Sequence, residues 1–241
     1  MTSFVSDPRA ATTTAVGPPE IAGHELVIID SVTIDGRVIH FPRPLAGLPE
    51  YSAAAKAEAD AEKLRPKLTE DLDERGNVPF QPNTPLVFEM RSAAATTVTA
   101  AMTGLEAYAN HQLSRFETEP GSGVINVAGE HRDLRELRNL PINERYRDVL
   151  PTLLDKAKPT SEPWWPTLRR VQGLAALQRH SVYDPQERTG LDGKRSLAER
   201  VYTGEYRGAA SMMLAAFEHF SRGWVSPDRL EGLNDPTTFA L

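Results

Sequence analysis

The 241-residue chain contains no cysteine. Disulfides, thiolate nucleophiles and zinc–sulfur sites therefore lie outside its chemistry, and a reducing, cytoplasmic address fits. No apolar run approaches the ~18 residues that a membrane-spanning helix needs. The opening stretch, residues 1–17, is rich in Ser, Thr and Ala, carries Asp7 and lacks an apolar h-region, so it does not read as a signal peptide. A P-loop is also missing: Gly121-Ser122-Gly123 follows a helical stretch and lacks the lysine. There is no Gly-x-Ser-x-Gly nucleophile motif. The six histidines (24, 40, 111, 131, 180, 219) include no i,i+4 pair enclosing a Glu. We therefore expect a soluble cytoplasmic protein with no membrane association, no metal and no cofactor.

What remains is average for a globular protein: 40% hydrophobic and 25% charged residues, with a net charge of −6. That charge argues against broad, non-specific affinity for nucleic acid. It is unevenly spread. Residues 1–129 hold 10 Lys+Arg against 17 Asp+Glu, whereas residues 130–207 hold 15 against 12. The second stretch is rich in Arg, whose planar fork suits bidentate phosphate recognition. Solvated helix faces with i,i+4 ion pairs account for the same composition.

Residues 1–22 read as a disordered leader. From His24 to Phe41 the β-branched runs Leu26-Val27-Ile28-Ile29 and Val38-Ile39 flank Asp35-Gly36, the pair favoured in two-residue hairpin turns. A lone hairpin is marginal in water, so its strands need something to pack on. Residues 23–85 are read as this hairpin plus short helices packing on a bundle. Tyr51 to Leu64 favours a helix that Pro66 should break, Thr69 to Arg75 a further short turn of helix, and residues 77–85, with three prolines, a linker.

Residues 86–222 read as a helical bundle. Its longest helix is expected over Leu86 to Phe116, where Leu86, Met90, Thr97, Ala101, Leu105, Tyr108 and Phe116 form one stripe. A short charged helix follows over Glu130 to Leu140. Asn143 caps another reaching about Leu154. Trp164-Trp165-Pro166 opens a helix to about Tyr183, and a last helix spans roughly Ser196 to Ser221 with Tyr206, Met213, Leu214, Phe217 and Phe220 on its apolar face. Residues 223–241 form a tail. The fold class is mainly α, a helical bundle with a small N-terminal β-hairpin appendage.

One motif carries candidate chemistry: Arg179-His180-Ser181-Val182-Tyr183-Asp184-Pro185, at the end of the Trp-initiated helix. Order, spacing and helical context resemble the signature of the HEPN superfamily, an Arg followed four to six positions later by His near the end of a bundle helix. Gly104-Leu105-Glu106-Ala107-Tyr108-Ala109-Asn110 resembles the family's earlier long helix, where an acidic residue and an Asn are common, and Trp165-x-x-Leu168 resembles its entry into the motif helix. The resemblance spans residues 86–222 at most. It implies a homodimer in which two motifs meet, acting on RNA without a metal. Arg stabilises charge developing on the scissile phosphate and His moves the protons.

The departure from the pattern is chemically important. Where the family places its catalytic His, this chain has Asp184, and His180 directly follows the Arg. A carboxylate of ordinary pKa ~3.9 stays ionised and is repelled by phosphate. Arg179 could instead pair with Asp184 and be structural. His180 has three readings: a displaced base, a residue binding RNA or a nucleotide without cleavage, or a helix-end histidine favoured by the dipole. Neighbours on a helix diverge by about 100°, which works against the first. The candidate catalytic residues are thus Arg179, His180 and Asp184, with Glu106, Asn110 and Tyr183 as binding positions. Glu106 and Asn110, one turn apart, either hydrogen-bond a functional group or make an ordinary polar helix contact. The resemblance implies a degenerate ribonuclease-like module in a bacterial stress or defence setting, with RNA or a cognate protein as partner. A purely structural or interaction bundle and a still-active endoribonuclease remain the alternatives.

Overall fold

The structure is a computed structural model describing residues 29–34, 36–42, 45–70, 80–119, 121–180, 197–222 and 224. The chain divides into two compact units at Leu45/Ala46. In the first, β1 (Ile29–Ile34) and β2 (Arg37–Pro42) pair antiparallel. Ile34 faces Arg37 across a two-residue loop whose Gly36 has φ +75°. This is the turn expected from Asp35-Gly36. The apolar run that starts at Leu26 lies largely outside the described residues.

The second unit is mostly helical, as expected. α1 (Leu48–Glu70) packs along α2 (Phe80–Ser114). α1 buries Leu48, Ala54, Ala57, Ala61 and Leu68, spaced by three, four or seven. Its small side chains let the helices approach closely. The expected break at Pro66 does not occur: α1 continues to Glu70 with Pro66 inside it. An internal proline costs about 3 kcal/mol, and burial of Leu68 beyond it offsets part of that. α2 likewise begins six residues before the expected Leu86, with Pro85 inside it, so part of the expected linker is helical. Met90, Ala94, Thr97, Val98, Ala101, Leu105, Tyr108 and Gln112 line its buried face.

Two glycines fix how α1 meets the rest of this unit. At Gly47 (φ +88°) an added Cβ would stand 2.7 Å from Phe217 Cζ and 2.8 Å from the Gly104 carbonyl, and at Gly104 it would meet Met213 Cε and Glu50 Cβ. Both positions require the absence of a side chain.

The expected charged helix over Glu130 to Leu140 is only half present. Residues 124–133 instead form a second hairpin, β3 (Val124–Val127) and β4 (Glu130–Asp133). Ala128 and Gly129 both take positive φ in its turn, and Asn126 Oδ1 accepts from the Gly129 amide at 2.8 Å. Asp133 then caps α3 (Leu134–Asn139) by accepting from the Arg135 and Glu136 amides. Leu113, Ile125, Leu134, Leu137 and Val149 bury this subdomain against the end of α2.

Next, α4 (Ile142–Glu144), a π-helical turn (Arg145–Val149) and α5 (Leu150–Leu154) run on from one another. Asn143 is not the expected cap. It lies inside α4 and accepts a hydrogen bond from Gln172 Nε2 at 3.1 Å, while Pro141 occupies the cap position. α6 (Trp165–His180) crosses α2.

The expected last helix is two helices, α7 (Leu197–Tyr202) and α8 (Ala209–Phe220). Gly204 (φ +82°) and Gly208 (φ +76°) break it. α1 supplies what the break requires. Glu58 accepts from the backbone amides of Gly208 (2.6 Å) and Ala210 (3.1 Å), and Glu62 accepts from Tyr206 and Arg207. Around Tyr108 and Tyr146 the core is aromatic, with Trp164, Phe217 and Phe220 at ring separations of 4.7–6.5 Å. Among the described residues, no helix is long and apolar enough to cross a membrane.

Candidate functional site

α6 buries Leu168, Val171, Leu174 and Ala175 and exposes Arg169 and Arg170 on its opposite side. Arg179 stands in its last turn. It is exposed, and its Nε donates to the Ala175 carbonyl at 3.4 Å. His180 is the final helical residue. The His180 side chain and the remainder of the motif, with Tyr183 and Asp184, lie outside the described residues. The expected approach of Asp184 to Arg179 therefore concerns a segment that is not described. Trp164 and Trp165 are both buried, each 7% exposed, and pack against each other at 5.9 Å. They are core residues.

Glu106 and Asn110 do converge on a charged group, one that sequence reasoning had not singled out. Arg145, at the start of the π-helical turn, is only 4% exposed. Its Nη1 donates to Asn110 Oδ1 at 3.0 Å, and its Nη2 lies 3.8 Å from Glu106 Oε1. Arg145 Nε is buried with no hydrogen-bond partner among the described residues. An arginine offers five N–H donors in a fixed fork. Here one hydrogen bond and one ion pair longer than a hydrogen bond serve a nearly buried cation. An unsatisfied buried donor costs about 1–3 kcal/mol, and desolvating the charge costs several more. Burial accordingly pulls the guanidinium pKa below its ordinary value, with the nearby Glu106 charge opposing that shift. The group still stays protonated at neutral pH.

The tertiary frame holds Arg145 there from both sides. Tyr146, next in sequence, is fully buried and donates its hydroxyl to the Leu105 carbonyl at 3.0 Å. Burial raises its phenol pKa well above the ordinary value. On the other flank, Gln172 of α6 reaches Asn143. π-turns cost hydrogen-bond geometry and recur at functional sites. A sequence signal did exist. Ile142, Arg145, Tyr146, Val149 and Leu150 follow the i, i+3, i+4, i+7, i+8 pattern of a buried stripe, and all five are buried. Arg145 is the charged member of that stripe.

Among the described residues, no hydrogen bond or ion pair joins Arg179 to Glu106 or Asn110. Gln172 and Arg179 are seven residues apart on α6, two turns along one face and ~10 Å in rise. Arg179 thus emerges on the helix face that meets Asn143.

A groove of about 700 Å³ lies elsewhere, lined by Trp164, Thr167, Ser211, Met212, His219 and Arg222 among others. Its histidine is already committed. His219 Nε2 is 3.0 Å from the Ala157 carbonyl and Nδ1 is 3.7 Å from Glu162. A carbonyl can only accept, so Nε2 carries the proton. The carbonyl thus fixes the ring through Nε2 with Nδ1 facing Glu162, and a histidine in the last turn of α8 suits the helix dipole. No three His, Asp or Glu side chains among the described residues converge on a possible metal position. No protein-family model, curated protein or solved structure matches this chain.

Proposed function

We propose that the chain is a HEPN-like helical module with a degenerate ribonuclease motif, which binds RNA in a bacterial stress or defence setting and does not cut it. The observation that carries this reading is the exposed guanidinium of Arg179 in the last turn of α6. A purely structural helix-end arginine would gain from burial against a carboxylate. Exposed, Arg179 retains the charge and the fork that phosphate recognition uses. Arg169 on the same helix is also exposed. Loss of cleavage follows from chemistry: Asp184 stands where the family's histidine is expected, and a carboxylate there repels the phosphate. Glu106 and Asn110, the expected binding positions, are engaged with Arg145.

The test uses the full chain and a fluorescently labelled single-stranded RNA, read by anisotropy at 50 and 200 mM salt. Saturable binding is expected at the lower salt. Arg179→Ala should weaken it at least fivefold and lower the salt slope by about one, with no change in the unfolding midpoint. No RNA cleavage is expected. Failure of the wild-type chain to bind at 50 mM salt, or unchanged binding by Arg179→Ala, would refute the reading. Cleavage lost in both Arg179→Ala and His180→Ala would replace it with the active ribonuclease.

One observation favours a second reading, a protein-interaction module that pairs with itself or a cognate protein. Phe88 on α2 is 61% exposed and offers a large apolar side chain to a partner. Phe88→Asp would then abolish the association in sedimentation velocity and leave RNA binding unaltered.

A further inference from the structure

The geometry points to Arg145 as a phosphomonoester-binding site that Glu106 covers when no ligand is bound. The site is distinct from Arg179 and stands whether or not the chain binds RNA through α6. Three independent observations meet there. Arg145 is nearly fully buried, yet among the described residues it has one hydrogen bond and its Nε has no partner. The residue beside it, Glu106, holds it only through a 3.8 Å ion pair, with a side chain 52% exposed. The backbone that presents Arg145 is a π-turn rather than a regular helix.

Those features distinguish a receptor from a structural ion pair. A structural buried arginine saturates its donors, because each unpaired one costs free energy. Arg145 leaves donors on the Nε and Nη2 edge, the edge that binds an oxyanion bidentately. Among the described residues Glu106 is the one carboxylate partner of Arg145, and it stands at an exposed position of α2 from which its side chain can rotate into solvent. Swinging it aside frees the Nη2 donor that Glu106 now faces.

The chemical class of the ligand follows from the competition. Glu106 is tethered, so its effective concentration is far above that of any free monocarboxylate. A free carboxylate offers the same charge and the same two oxygens and cannot displace it. A phosphomonoester carries up to −2 charge and three acceptor oxygens, which gives it the advantage over Glu106. Asn110 Oδ1 already holds Nη1, which fixes the orientation of the fork.

The experiment titrates the full chain with inorganic phosphate, AMP, a 5′-phosphorylated RNA oligonucleotide, the same oligonucleotide without its phosphate, and acetate, followed by isothermal calorimetry. At least one phosphomonoester should bind saturably at 1:1, and acetate should not. AMP against the phosphorylated oligonucleotide distinguishes a free nucleotide from a chain end as the source of the group. Glu106→Gln, at an exposed position, should tighten phosphate binding at least tenfold, about 1.4 kcal/mol, by removing the competing charge. Arg145→Lys keeps the charge, loses the fork and should abolish binding. Should Arg145→Lys fail to fold, the Glu106→Gln result decides alone. The proposal is overturned if no phosphomonoester binds, if acetate binds as well as phosphate, if Glu106→Gln leaves the affinity unchanged, or if folded Arg145→Lys binds like wild type.

Discussion

Truncating Glu58 tests whether α8 is capped from a distance. The N-cap of α8 is Gly208, which has no side chain to accept from the first turn. Glu58 of α1 takes that role, 2.6 Å from the Gly208 amide and 3.1 Å from the Ala210 amide. Each charge-assisted bond contributes about 1.5–3 kcal/mol, and the carboxylate gains further from the positive end of the helix. Glu58 is half-buried, so water replaces part of what is lost on truncation. The expected cost of Glu58→Ala is therefore about 2 kcal/mol, the upper end of measured cap losses. For a chain of this size that is a fall of roughly 4–8 °C in the thermal midpoint. Circular dichroism at 222 nm measures it, and urea titration should show a lower midpoint at unchanged slope. Glu58→Gln retains one acceptor oxygen without the charge and should lose about half as much. Glu89→Ala, at an exposed position of α2, is the control and should stay within about 0.5 kcal/mol. If Glu58→Ala unfolds within about 1 °C of Glu89→Ala, the carboxylate is not the cap and the argument fails.

Gly47→Ala forces a Cβ against Phe217 and the Gly104 carbonyl at a φ of +88°. We expect a loss of about 3 kcal/mol or more from combined strain and overpacking, read by denaturant unfolding; a loss under about 1 kcal/mol would contradict the close approach. Tyr108→Phe removes a hydroxyl that donates to Ser221 at 2.7 Å and should cost about 1 kcal/mol, whereas Tyr202→Phe, half-buried on α7, serves as its comparison in the same thermal scan. Glu62 is held below the ordinary carboxylate range, first by its hydrogen bond from Arg207 and also by that from Tyr206. Its folded pKa is depressed, so the unfolded chain takes up the proton first and the stabilisation, present above the unfolded value, is lost as pH falls through the folded one. Glu62→Gln should accordingly lower the midpoint at pH 7 and narrow its gap to wild type as the buffer is taken from pH 5 to pH 3; a gap constant across that range would refute the assignment.

Apolar spacing was enough to locate α2, because a 3.6-residue period is a local property of the chain. Asp35-Gly36 located the first hairpin for the same reason, since only a residue tolerant of positive φ closes so short a loop. The errors fall where distant residues decide. Pro66 breaks an isolated helix, yet α1 continues because Leu68 is buried beyond it. Gly204 and Gly208 were visible as glycines, but the chain turns there because Glu58 and Glu62, some 145–150 residues earlier, satisfy the turn and the start of α8. Ala128-Gly129 lacks the usual hairpin residues, and the hairpin depends on Asn126 and on Ile125 packing against Leu113. The candidate site divides the same way. Glu106 and Asn110 could be picked out one turn apart on a helix. Their partner Arg145, 35 residues from Asn110, could not, because a buried cation is defined by what surrounds it in three dimensions. Sequence alone determined the helical class, the first hairpin and the motif of Arg179; tertiary packing alone decided which polar groups lost water, and therefore which of them carry unmet hydrogen-bonding capacity.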